Sequence, residues 1–135
     1  MKTYLNHIQF NIQPAHMQFY KDLMDCLGWR VLYDSPELLG VEGNHGESFW
    51  FTGQVKAVSN DYDGPGMNHI GIGVPAQADV DTARSLVESK GVACLFDTPR
   101  HRPDFVGSPD QTYYQIMFES PDRILWEVVY IGPKT

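Results

Sequence analysis

The residues of this chain best suited to chemistry lie in three short stretches. Asn-His-Ile occurs twice, as Asn6-His7-Ile8 and Asn68-His69-Ile70. Near the C-terminus the apolar run Ile124-Leu125-Trp126-Glu127-Val128-Val129-Tyr130 is broken by one carboxylate, Glu127. An ionised carboxylate on a half-buried strand costs several kcal/mol unless it is paired, hydrogen-bonded or bound to metal. A single strand histidine is more often a hydrogen-bonded structural residue than a ligand; recurrence at matching positions makes this pair a candidate for metal binding. The third stretch is Pro99-Arg100-His101-Arg102-Pro103-Asp104-Phe105. Arg100 and Arg102 offer forked donors for an anionic substrate group. His101 is a candidate general acid or base, because imidazole titrates near neutrality. The plainer reading of this stretch is solvated loop charge.

These residues must be placed by the elements around them, and the elements repeat. Leu5 to Ile12 and Met67 to Val74 both alternate with period two, so Ile8, Phe10 and Ile12 share a face, as do Ile70, Ile72 and Val74. His7 and His69 then point away from the apolar face. Each opening runs through a proline into an amphipathic segment that ends at a glycine, Gly28 or Gly91, 21 or 22 residues beyond its histidine. Met17, Tyr20, Leu23, Met24 and Leu27 mark the first helix, with Gly28 as its C′ residue. Val80, Ala83, Leu86 and Val87 mark the second, with Asp79 as N-cap and Gly91 just past its end.

Six further strands are expected at Trp29–Asp34, Leu38–Glu42, Ser48–Gly53, Val92–Asp97, Tyr113–Glu119 and Ile124–Tyr130. Each half therefore reads βαβββ, with unit one at about 1–54, a turn-rich linker at about 55–66 and unit two at about 67–135. The halves are expected to form one domain, since a single βαβββ unit leaves a sheet face uncovered.

At 135 residues, 42% hydrophobic and 20% charged, the chain is long enough to bury a core of its own. A formal charge of −7 without any basic stripe makes nucleic acid and anionic membrane surfaces poor partners. Cys26 and Cys94 form no CxxC pair, which fits a reducing compartment, and Met1–Gln13 lacks a signal-peptide apolar run. The expected location is cytoplasmic.

A paired βαβββ repeat with an early histidine in each half, closed by Pro121-Asp122 and then Glu127, resembles the vicinal oxygen chelate superfamily over nearly the whole chain. That group includes glyoxalase I, extradiol dioxygenases, fosfomycin-resistance enzymes and the metal-free bleomycin-resistance proteins. The resemblance implies an α+β fold in which two βαβββ units form a cup-shaped, curled mixed sheet with helices outside. It implies one divalent metal held by His7, His69 and Glu127, and a small-molecule substrate chelating that metal through vicinal oxygens. Lyase, isomerase, epimerase and dioxygenase chemistry all fall within it, and homodimers are common.

Two imidazoles and a carboxylate with open positions suit Fe, Mn, Zn, Ni or Co. Glyoxalase-like relatives add a glutamate on the last strand of the first unit. By the internal repeat Trp50 stands at that place here, with Glu42 and Glu47 nearby. A one-residue slip would turn those carboxylates to the other face. The extradiol tyrosine falls on Met117, which weighs against ring cleavage. Trp50, Tyr113 and Gln115 are candidates for lining the substrate pocket, with Met117 beside them. The rival reading is a metal-free protein that sequesters a small molecule, as bleomycin-resistance proteins do.

Overall fold

The computed structural model describes every residue from Met1 to Thr135. The chain divides into two compact units, Met1–Val58 and Ser59–Thr135. In unit one the elements run β1 (His7–Asn11), a 3-10 turn at Pro14–His16, α1 (Met17–Cys26), β2 (Arg30–Asp34), β3 (Leu38–Glu42) and β4 (Ser48–Thr52). In unit two they run β5 (His69–Gly73), α2 (Gln77–Ser89), β6 (Arg100–His101), a 3-10 turn at Pro103–Phe105, β7 (Gln111–Glu119) and β8 (Leu125–Pro133). Each unit is βαβββ, so the fold class is α+β, as the sequence leads one to expect.

The two sheets share one topology. Unit one orders its four strands β1-β4-β3-β2 and unit two β5-β8-β7-β6. In both, the first strand pairs parallel with the last, and the remaining pairs are antiparallel. The register is also shared: His7 lies opposite Ser48, two residues before Trp50, and His69 lies opposite Leu125, two residues before Glu127. Trp50 and Glu127 are therefore true counterparts.

Both helices stop for the same reason. Gly28 and Gly91 take φ values of +75° and +77°, a left-handed turn that costs side chains with a Cβ. In each case the glycine N–H and the next N–H return to carbonyls of the last turn: Gly28 to Asp25 and Trp29 to Met24, Gly91 to Glu88 and Val92 to Val87. At the start of α2, Asp79 is not the N-cap. That place belongs to Ala76, and Asp79 sits one turn inside, its carboxylate accepting the Ala76 N–H at 3.1 Å.

One face of each sheet is apolar and carries the core. In unit one Phe10, Leu39, Val41, Phe49 and Phe51 are buried with Tyr20, Leu23 and Met24 of α1. Phe51 stacks on Phe10 at 5.0 Å and on Tyr20 at 4.8 Å. In unit two Ile70, Ile72, Ile116, Phe118, Trp126 and Val128 are buried with Val80, Ala83 and Val87 of α2. Each fully buried side chain of this size stabilises by about 1.5–3 kcal/mol.

Two expectations are corrected. Val92–Asp97 is not a strand: Cys94 makes an isolated bridge to Phe118, and the chain then turns at Phe96 and Asp97, both at positive φ. The fourth strand of the sheet is instead Arg100–His101, inside the stretch expected to be a loop. The second half of the expected linker is also part of unit two. Asn60 Nδ2 donates to the Arg123 carbonyl at 2.8 Å, and the Tyr62 hydroxyl donates to Glu119 Oε2 at 2.7 Å.

Candidate functional site

Strand alternation decides which side chains meet. On β8, Leu125, Glu127 and Val129 face away from α2, and the register places His69, Gly71 and Gly73 of β5 on one side of them and Glu119, Met117 and Gln115 of β7 on the other, with Tyr113 next along the same face opposite Ile131. Glu127 is 4% exposed, an unusual place for a carboxylate. Its two oxygens are separately engaged. Oε1 accepts the Tyr113 hydroxyl at 2.6 Å, and Oε2 lies 3.2 Å from His69 Nε2. The strand position opposite Glu127 is Gly71, where a Cβ would stand 3.5 Å from Oε2, so no side chain from that position crowds the carboxylate.

The imidazoles are set by their neighbours. His69 Nδ1 is 2.8 Å from Asn68 Oδ1, and Asn68 Nδ2 donates to the Tyr62 carbonyl at 2.9 Å. In unit one His7 Nδ1 stands 2.7 Å from Asn6 Oδ1, so the repeated dipeptide makes the same contact twice. The Tyr113 phenol is pushed up to about 12, first by burial and then by its hydrogen bond to Glu127.

The structure thus brings together His69, Glu127 and Tyr113, with Gln115 on the same face and 2% exposed. It assembles no group of three or more His, Cys, Asp or Glu side chains suited to a metal. His7 occupies the matching position of unit one, on the face that carries Gln9 and Trp50. Trp50 lies across β3, its indole directly over Gly40, and its Nε1–H donates to Ser48 Oγ at 3.1 Å. Glu42 is paired with Arg30, and Glu47 accepts the His45 N–H at 2.9 Å, so both carboxylates are occupied locally.

The arginine-rich stretch is split by the strand it forms. Arg100 stands opposite Gln115 on the Glu127 face, whereas His101 stands opposite Tyr114 on the other face. There His101 Nδ1 meets Thr112 Oγ1 at 2.5 Å and its ring packs on Tyr114 at 4.7 Å. His101 therefore faces away from Glu127; a loop has no alternation, but a two-residue strand does. Arg102 follows β6, donates its N–H to the Tyr113 carbonyl and lays its guanidinium 4.2 Å from the Phe105 ring centroid. Phe105 in turn meets Tyr113 edge-on at 5.2 Å. Arg102 also pairs with Asp104 at 3.2 Å.

Sequence reasoning missed Asn68 and the double role of Tyr113. The signal for the first was present, since asparagine precedes histidine in both repeats. For the second, a tyrosine sharing the face of a buried carboxylate on the adjacent strand was the signal.

The same fold is found among solved structures. No protein-family model and no curated protein matches the sequence. Among known structures, a glyoxalase/bleomycin resistance protein from Albidiferax ferrireducens T118 superposes with a TM-score of 0.73 at 14% identity, covering 93% of this chain and 98% of that one. A glyoxalase/dioxygenase from Nostoc punctiforme gives 0.68 at 17% identity, with 97% and 92% covered. The fosfomycin resistance protein FosX from Listeria monocytogenes, solved with Mn(II) and sulfate, gives 0.66 at 18% identity, with 96% and 91% covered. These are proteins of the vicinal oxygen chelate superfamily, and the chain has their fold.

Proposed function

We propose that the protein is a divalent-metal-dependent enzyme acting on a small molecule that chelates the metal through vicinal oxygens. His69 and Glu127 are its ligands in unit two, and His7 is the third by its equivalence in the repeat. The observation that carries this reading is the buried Glu127 carboxylate, held 3.2 Å from His69 Nε2 beside a glycine, Gly71, that adds no side chain of its own. Imidazole nitrogen and carboxylate oxygen together suit Fe, Mn, Zn, Ni or Co. The fold likeness to the Mn(II)-containing FosX supports the same reading.

A divalent ion bound there supplies Lewis acidity toward a substrate carbonyl or hydroxyl oxygen. The chain's own groups do the rest. Tyr113 occupies Oε1 of Glu127 and leaves Oε2 on the His69 side. Phe105 and Tyr113 form an aromatic wall beside the carboxylate, with Arg102 stacked on Phe105 and paired with Asp104, an exposed partner that an anionic substrate group would have to displace. That combination favours a substrate with an unsaturated or aromatic body and an anionic group. Trp50 stands where glyoxalase-like relatives place a ligand. Its indole nitrogen has only a proton to offer and donates it to Ser48.

Elemental analysis of protein purified without chelator tests the proposal. About one metal per chain is expected, lost in His7→Ala, His69→Ala and Glu127→Ala. Glu127→Gln serves as the folding control, because its amide retains an acceptor for Tyr113 and gains a donor toward His69. It should lose metal while staying within about 1 kcal/mol of the parent, the usual worth of one hydrogen bond. Full metal occupancy in His69→Ala would sink the assignment. Turnover of methylglyoxal with glutathione should be absent.

A further inference from the structure

We infer that Asn68 is a positioning residue that fixes the tautomer of His69, so that the Nε2 lone pair always faces Glu127. The inference rests on the metal-site reading above and deepens it. A backbone carbonyl can accept but never donate, so the Asn68 nitrogen must be the atom 2.9 Å from the Tyr62 carbonyl. That leaves the Asn68 oxygen, an acceptor, as the atom 2.8 Å from His69 Nδ1. Nδ1 must therefore carry the proton, and in the neutral ring Nε2 is the bare nitrogen. Two acceptors, the Nε2 of a part-exposed imidazole and the buried Glu127 carboxylate, are thereby held 3.2 Å apart. Such a pair is satisfied by a cation or a shared proton placed between them.

The anchor of Asn68 is itself tied down. Tyr62 donates its hydroxyl to Glu119 Oε2 at 2.7 Å, and Arg123 bonds Glu119 Oε1 at 3.2 Å while lying over the Tyr62 ring. The turn-rich segment before β5 thus holds a carbonyl where Asn68 needs it. Without Asn68 the ring would lose its Nδ1 acceptor, and the Nε2–H tautomer, which donates to Glu127, would take over.

Long-range nitrogen–proton NMR of ring-labelled, metal-free protein, at a pH where the imidazole is neutral, reads the tautomer directly. The parent is expected to show His69 as Nδ1–H with a pyridine-like Nε2. Asn68→Ala should convert it to Nε2–H. Asn68→Asp keeps an acceptor at Nδ1 and should retain the parental tautomer, a result that a merely structural role for the side chain does not require. Zn(II) affinity, measured by competition with a chelating dye, should fall about 10–100-fold in Asn68→Ala, the usual cost of losing an outer-shell partner, and recover in Asn68→Asp. An Nε2–H tautomer in the parent, or an unchanged tautomer in Asn68→Ala, overturns the inference. Failure of Zn(II) to bind the parent, with the tautomers as stated, overturns the metal reading alone.

Discussion

Tyr113 and Tyr114 are consecutive on β7 and face opposite ways, yet each hydroxyl ends on a carboxylate. Tyr113 donates to Glu127, and Tyr114 donates to Asp81 of α2 at 2.8 Å. Burial, followed by these acceptors, pushes both phenols from 10 up to about 12. A phenol whose folded value is raised holds its proton more tightly in the native state. Its contribution is complete below pH 10 and is lost as the pH climbs through about 12. The protein should therefore lose stability across that alkaline window. Tyrosinate absorbance should show a late rise near pH 12 that Tyr113→Phe and Tyr114→Phe each reduce by one tyrosine. If both variants titrate like the parent, the two hydrogen bonds are not present in solution. At this scale the sequence showed that Glu127 needed a partner, but not that a tyrosine on the neighbouring strand would share it with His69.

Among the elements, the β3–β4 pair carries the clearest constraint. The Trp50 indole lies so close over Gly40 that an added Cβ would stand 2.5 Å from its Cζ3 atom. Gly40→Ala should displace the ring and cost about 1–3 kcal/mol, the usual effect of overpacking. Denaturant unfolding and the emission of Trp50 check this; an unchanged spectrum and midpoint would mean that the ring does not rest there.

The strands were legible where alternation and turn chemistry agreed, as at Leu38–Glu42 and at Tyr113–Glu119, which the structure extends back to Gln111. The internal repeat even aligned Trp50 with Glu127, which the strand register bears out. Val92–Asp97 deceived because its apolar run looks like a strand, whereas a backbone turn at Phe96 and Asp97 ends it. Which segment then pairs with β7 is settled by tertiary hydrogen bonds that no local pattern encodes, and so is the face on which His101 lies.

For the molecule as a whole, exposed apolar surface is the main guide to assembly. Val31, Leu32 and Tyr33 on the edge strand β2 are 56%, 41% and 51% exposed. An edge strand with apolar side chains and unpaired backbone groups invites a second chain. Light scattering should give about twice the 15.3 kDa chain mass, a homodimer. A monomer at micromolar concentration with metal still bound would show that neither assembly nor the site needs a partner. No helix is long and apolar enough to cross a membrane. Cys26 and Cys94 are free, and burial raises both thiols.

The attachment of residues 59–68 to unit two also bears on where the covalent chain is vulnerable. Composition alone would put the weakest connection anywhere among the glycines and aspartates up to Gly66. The bonds of Asn60 and Tyr62 close most of that stretch, leaving the exposed residues just before Ser59 as the seam. Exposed backbone with few hydrogen bonds is what a protease needs. Lys56 is the one tryptic site between Arg30 and Arg84 that falls in the seam, since it is also the one lysine or arginine in that span. Brief trypsin treatment of the native protein should therefore yield two discrete fragments parted after residue 56. The larger fragment would keep the whole tether from Asn60 to His69 and with it the hydrogen bonds around that imidazole, so His69, Glu127 and Tyr113 would stay together on one piece.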